Sequence, residues 1–292
     1  MAQIATALLP GSRDIEIVNH DIERGSVRHA LFDFDGTISL IREGWQNVMI
    51  PMMVDLLAEH AQSGETREQL HEIVREFVTR LTGKQTIYQM IELADQIKAR
   101  GGEPKEPLEY KWQYLHLLWD QIKDRVEGLK SGELRQEDFI VPGSYNLLRH
   151  LQARGVALYL ASGTDRPYVL DEAGVLDLPQ FFGDEMYGAL DDYQSISKAK
   201  IIARIIETHG LSGPELVIFG DGYVEIENAK EVGGIAVGVA TNERERRGVD
   251  DWKRNRLIEA GADVIIPDFR EQDRVVGYLF NDASPPIPLS GP

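Results

Sequence analysis

Two carboxylates two residues apart, Asp33 and Asp35, close a β-rich stretch over residues 27–34 and are followed at once by Gly36 and Thr37. Alternate side chains of a strand share a face, so both carboxylates point the same way where strand geometry persists to Asp35. Such a pair can divide its labour, with one oxygen attacking phosphorus while the other handles a proton. Three further polar groups follow downstream: Ser162-Gly163-Thr164 after the apolar run 156–161, Asp221-Gly-Tyr-Val-Glu225 after 216–219, and Lys198 at the head of a helical pattern over 198–209. Two carboxylates at one strand exit and an acidic pair at another make an oxygen donor set that suits Mg²⁺. Ser162 and the N–H groups after it can hold phosphoryl oxygens, and Lys198 can neutralise charge on them. Each piece alone has a plainer reading: Asp-x-Asp-Gly as an Asx turn, Ser-Gly-Thr as a loop and N-cap, the lysine as a solvated cation. Their joint order is what points to chemistry.

These groups need a sheet to bring them together. After Val141-Pro142-Gly143 the chain alternates helices over 144–154, 198–209, 226–232 and 252–260 with strands over 156–161, 216–219, 235–240 and 263–266. Continuous apolar strands separated by helices imply a parallel sheet covered on both faces, a doubly wound α/β core. In open parallel sheets, ligands bind beyond the carboxyl ends of the strands, which is where the groups named above fall.

Between the first strand and this alternation, the texture is helical, with helices expected over 45–61, 66–81, 86–99 and 107–129. The expected organisation is an α/β core of residues 1–40 and 141–281, a helical insertion over 41–140, and a loose tail over 282–292 rich in proline. Within the insertion, Arg42 and Trp45, where it begins, and the Lys84-Gln85-Thr86 turn after Gly83 are candidate substrate contacts. The turn also reads as a glycine that ends one helix and a threonine that caps the next. Tyr110, Trp112, Tyr114 and Trp119 read as core packing of one helix.

Composition narrows the reaction class. The 292 residues contain no cysteine, which excludes disulfides, thiolate metal sites and cysteine nucleophiles. The balance of 31 basic and 48 acidic residues, net −17, opposes nucleic acid and anionic membrane partners. The segment 41–140 holds 13 basic and 18 acidic residues, so no basic face is evident there either. Arg244, Arg246 and Arg247 alternate with Glu243 and Glu245 and are expected to pair among themselves in solvent. No apolar run reaches the length of a membrane span, and no basic stretch precedes the short apolar segment at the N-terminus, so a cytoplasmic protein is expected.

Asp33-Phe-Asp-Gly-Thr, Ser162-Gly-Thr, Lys198 and Gly220-Asp221-Gly-Tyr-Val-Glu225 resemble the four ordered motifs of the haloacid dehalogenase superfamily, most of whose members are Mg²⁺-dependent phosphatases. The resemblance spans residues 27–270. It implies Asp33 as the nucleophile that becomes an aspartyl phosphate, Asp35 as acid and then base with its backbone carbonyl on the metal, Ser162 and Gly163 with Lys198 as phosphoryl binders, and Asp221 with Asp33 as metal ligands. The insertion would be a helical cap of the family's first type. Two departures stand out: Glu225 occupies the family's usual aspartate position and would reach the metal through water or pair with Lys198, and Lys200 lies close to Lys198, although Lys198, 23 residues before Asp221, fits the usual spacing. Within that resemblance an acid at Asp35 implies a phosphatase or a phosphomutase, and the expected function is hydrolysis of a small phosphate monoester, such as a sugar phosphate or a phosphoglycolate-like ester. A phosphosugar mutase and a catalytically silent phosphate-binding protein are the alternatives. The oligomeric state has no signature in the sequence.

Overall fold

The computed structural model describes residues 6–189, 198–210 and 213–282. Among these, eight strands form one sheet in the order β1-β2-β8-β7-β6-β3-β4-β5. The central strands β3 (His29–Asp33), β4 (Ala157–Asp165), β5 (Met186–Ala189), β6 (Leu216–Gly220), β7 (Ile235–Val239) and β8 (Val264–Ile266) pair in parallel. The two-residue strands β1 (Ala7–Leu8) and β2 (Glu16–Ile17) add an antiparallel edge, so the sheet is mixed where the sequence suggests a purely parallel one. Strands that short carry too few side chains for a pattern to reveal their direction.

Successive residues of each central strand bury into opposite layers, which is why these strands read as continuous apolar runs. Phe32, Val217, Phe219 and Val237 face one layer, while Leu31, Ile218, Ala236 and Ile265 face the other. Phe32 and Phe219 stack with centroids 4.6 Å apart, locking β3 against β6 just before both strands reach the site. The first layer is covered by α5 (Ser144–Ala153), α6 (Arg166–Val175), α7 (Pro179–Phe182) and α11 (Gln272–Leu279), whose Leu147, Val169, Phe182 and Val276 are buried there. The second is covered by α9 (Tyr223–Glu231) and α10 (Asp251–Glu259) through Ile226, Ala229 and Leu257, with Ile206 of α8 (Lys198–His209) packed beside them.

Four helices leave the sheet between β3 and α5: α1 (Gln46–Ala58), α2 (Arg67–Leu81), α3 (Thr86–Ala99) and α4 (Pro107–Ser131). Each matches an expected helix to within a few residues. Local chemistry explains the boundaries. Thr66 and Gln69 exchange a capping box at the head of α2, Pro107 opens α4, and Gly132, left-handed at φ 77°, closes it. Met53, Leu57, Val74, Phe77, Met90 and Leu93 pack between these helices, and their core runs without a break into the first layer of the sheet.

The elements α6, α7 and β5 have no counterpart in the sequence expectation. The strand β4 continues through Ser162 to Asp165, past the polar triplet that looks like its end, and α6 follows with no intervening loop.

Candidate active site

A cavity of about 110 Å³ lies between the carboxyl ends of β3, β4 and β6 and the helical insertion. Asp33, Asp35 and Gly36 line it from β3, Gly163 and Thr164 from β4, and Asp221 from β6. The exits of three parallel strands thus meet at one point, as the sheet topology requires.

Gly36 makes the junction possible. It adopts φ 79°, and a Cβ there would lie 2.3 Å from Asp221 Oδ2, so only glycine lets the Asp221 carboxylate reach the β3 turn. Asp33 is buried at the last position of β3. The Asp35 Oδ2 atom accepts hydrogen bonds from the Ser162 hydroxyl at 3.0 Å and the Thr164 hydroxyl at 2.9 Å. Ser162 Oγ in turn accepts from the Thr164 N–H at 2.9 Å, which fixes its rotamer. Ser162 therefore orients Asp35, a use the sequence does not suggest. The second Asp35 oxygen, Oδ1, is buried, has no hydrogen-bond partner among the described residues, and lies 3.6 Å from Arg42 Nε.

Arg42 lines the cavity, and its charge is already paired within the protein, which the sequence does not suggest. Its guanidinium lies in a buried fork with Glu172 of α6, with contacts of 2.6, 3.0 and 3.1 Å. Burial alone would lower its affinity for a proton, but Glu172 and then Asp35 reverse this and hold it firmly charged. Beside them, burial pushes the Tyr114 phenol well above its ordinary range.

A second cation enters from α10. Lys253 Nζ lies 2.7 Å from Asp221 Oδ2 and 2.5 Å from Glu243 Oε1. Burial alone would lower the lysine, but Asp221 and Glu243 outweigh it and hold the ammonium above the usual lysine range. Burial is also what raises the Glu243 carboxyl, more than Lys253 lowers it. Sequence reasoning missed both residues. Glu243 lies just past the exit of β7, so inspecting that exit would have found it, whereas Lys253 has no local signal.

The remaining expectations resolve as follows. Trp45, Lys84 and Thr86 line the cavity. Gln85, buried, is the N-cap residue of α3 but its side chain does not cap the helix, and Thr86 is that helix's first residue rather than its cap. Tyr110 and Tyr114 are buried, but Trp112 and Trp119 of the same helix are exposed and so are not core packing. Arg246 does not pair with Glu243 or Glu245; it donates to the carbonyls of Glu137 and, at 3.0 Å, Ile140. Glu225 is fully buried against Gly220 and Gly222. Lys198 begins α8, but its side chain lies outside the described residues; Lys200, two residues on in that helix, is exposed.

The residues present fit a hard cation. Asp33 and Asp221 both line the cavity and offer only oxygen, and Gly36, with no Cβ, lets the Asp221 carboxylate come up to the β3 exit. Among the described residues, no three acidic or histidine side chains gather as a ready-made metal cluster.

The model of the haloacid dehalogenase-like hydrolase family matches residues 27–233. The chain belongs to that family. No curated protein sequence matches it. Among solved structures, it is similar to a predicted phosphoglycolate phosphatase from Haemophilus somnus 129PT, at 17% identity and TM-score 0.56 over 86% of this chain and 98% of that one. A Deinococcus radiodurans R1 HAD family hydrolase with bound phosphate and sodium shares 16% identity at TM-score 0.52, over 87% and 97% of the two chains. A proposed β-phosphoglucomutase from Bacteroides vulgatus shares 15% identity at TM-score 0.58, over 89% and 93%. At these identities the likeness is one of fold. Among the described residues, no helix is long and apolar enough to cross a membrane.

Proposed function

We propose that this hydrolase is a Mg²⁺-dependent phosphatase of small phosphate monoesters that works through an aspartyl phosphate on Asp33. The observation that carries the reading is the pairing of a buried Asp33 with an Asp35 whose Oδ2 is held by two hydroxyls and whose Oδ1 is left without a hydrogen bond.

An Asp33 carboxylate oxygen attacks phosphorus as the ester P–O bond breaks, and Asp35 Oδ1 delivers a proton to the leaving oxygen. Asp35, now a carboxylate, takes a proton from water, which attacks phosphorus and breaks the bond to Asp33, releasing inorganic phosphate. Ser162 and Thr164 hold Asp35 in place for both transfers. The Gly163 N–H, in the irregular stretch of β4 between Ala161 and Asp165, and Lys198 are assigned to the phosphoryl oxygens. Mg²⁺, held by Asp33, the Asp35 carbonyl and Asp221, would supply charge neutralisation to the phosphoryl oxygens. Glu225 supports the loop that carries Asp221.

The segment 41–140 acts as a cap over the core of residues 1–40 and 141–281. The cavity of about 110 Å³ is well below the 300–1,000 Å³ that encloses a drug-sized ligand, which favours a leaving group of a few carbons over a hexose. A small phosphorylated metabolite is therefore the partner we assign. The test is phosphate release from a panel of small phosphate esters with and without Mg²⁺, which Asp33→Asn must abolish.

A further inference from the structure

The helix α10 carries a second, half-buried cation one turn beyond Lys253. Arg256 reaches across to the C-terminus of α2 in the insertion. Its Nη1 donates to the Thr79 carbonyl, and its Nη2 donates to the carbonyls of Arg80 at 2.9 Å and Thr82 at 3.3 Å. The last carbonyls of a helix lack intrahelical donors and carry the negative end of its dipole, so a guanidinium is well suited to hold them. The guanidinium is itself clamped over the Tyr223 ring at 4.5 Å and the Trp252 ring at 5.2 Å, both from the core.

What α2 leads into gives this contact its consequence. Thr82, Gly83, Lys84 and Thr86, the residues directly after α2, form a wall of the cavity. That wall rests on two strand exits with no room to spare. A Cβ on Gly163 would lie 3.3 Å from the Lys84 carbonyl, and one on Gly222 would lie 3.1 Å from Gly83 Cα. The far side of the insertion is tied separately, by the buried pair of Lys111 on α4 and Asp165 at the end of β4, 2.5 Å apart. Arg256 therefore holds one wall of the site, and does so without touching the cavity.

We propose that Arg256 is a specificity-determining positioning residue: by gripping the end of α2 it keeps residues 82–86 seated and sets the size limit of the leaving group. Its substrate arm rests on the phosphatase reading above, while its physical arm does not.

The experiment compares the wild type with Arg256→Ala and Arg256→Lys. Hydrogen exchange at the amides of residues 83–88 is expected to rise more than about tenfold in Arg256→Ala, less in Arg256→Lys, and not at all around Lys111. Ethyl phosphate and 1-naphthyl phosphate then serve as small and bulky probes. The ratio of kcat/KM values is expected to shift at least about tenfold toward the naphthyl ester, through a raised KM for ethyl phosphate with kcat largely kept. Unchanged exchange at residues 83–88 overturns the proposal, as does an equal fall on both esters. Faster exchange in Arg256→Ala, where the wild type itself hydrolyses neither ester, supports the grip on α2 and instead overturns the phosphatase reading.

Discussion

Removing Glu172 should damage both stability and catalysis, and by amounts the geometry sets. Glu172 and Arg42 are both buried and share three contacts of 2.6–3.1 Å. Glu172→Ala leaves a guanidinium in the interior whose nearest remaining carboxylate is Asp35, 3.6 Å away. Breaking one side of a buried pair costs about 3–5 kcal/mol, whereas an exposed pair is worth at most about 1 kcal/mol. Urea unfolding of Glu172→Ala should therefore show a loss of about 3–5 kcal/mol, and the apolar double replacement Arg42→Met with Glu172→Leu should recover most of it. The single variant should also lose kcat, because the released Arg42 closes on Asp35 Oδ1, the atom that moves the proton. A loss below about 1 kcal/mol with normal kcat would refute this reading of the pair.

Three further outcomes follow from other contacts. Glu16 on the edge strand β2 is held by Arg254 of α10 in contacts of 2.6 and 2.5 Å, which lowers its carboxyl below the ordinary 4.5. A depressed carboxyl stabilises the fold above its unfolded value and loses that contribution as pH falls through the folded one, so the stability gap between wild type and Glu16→Gln, read by urea unfolding, should be full at neutral pH and vanish in acid below 4.5. Lys253→Met leaves Asp221 and Glu243 without their shared cation; the rise in melting temperature on adding Mg²⁺ should be larger than in wild type, and an equal or smaller rise in a thermal scan would count against Lys253 as a counter-ion at the metal site. Gly36→Ala must adopt a positive φ and place a carbon against Asp221, so it should cost more than about 1–2 kcal/mol in urea and remove activity together.

What the sequence revealed and what it hid divide along a physical line. Asp33, Asp35, Gly163 and Asp221 were legible because each stands at or just past the end of an apolar run, and a parallel sheet necessarily brings such ends together. The boundaries of α2 and α4 were legible because Thr66, Gln69, Pro107 and Gly132 act on their own helix ends. Glu172 was invisible as the partner of Arg42 because 130 residues separate them and only the packing of α6 on the insertion joins them. Lys253 was hidden for the same reason, since its partners Asp221 and Glu243 come from the exits of two other strands. Ser162 was found, but its orientation toward Asp35 depends on how β4 continues through the irregular register between Ala161 and Asp165, which no local pattern encodes.

The proposed reaction stands on Asp33 as the carrier of the phosphoryl group. Rapid acid quench of the enzyme turning over a small phosphate ester with Mg²⁺, followed by peptide mass spectrometry, reads this directly. One added phosphoryl group is expected on the peptide containing Asp33, absent in Asp33→Asn together with phosphate release. Phosphate release that persists in Asp33→Asn, or label on any other residue, would contradict it.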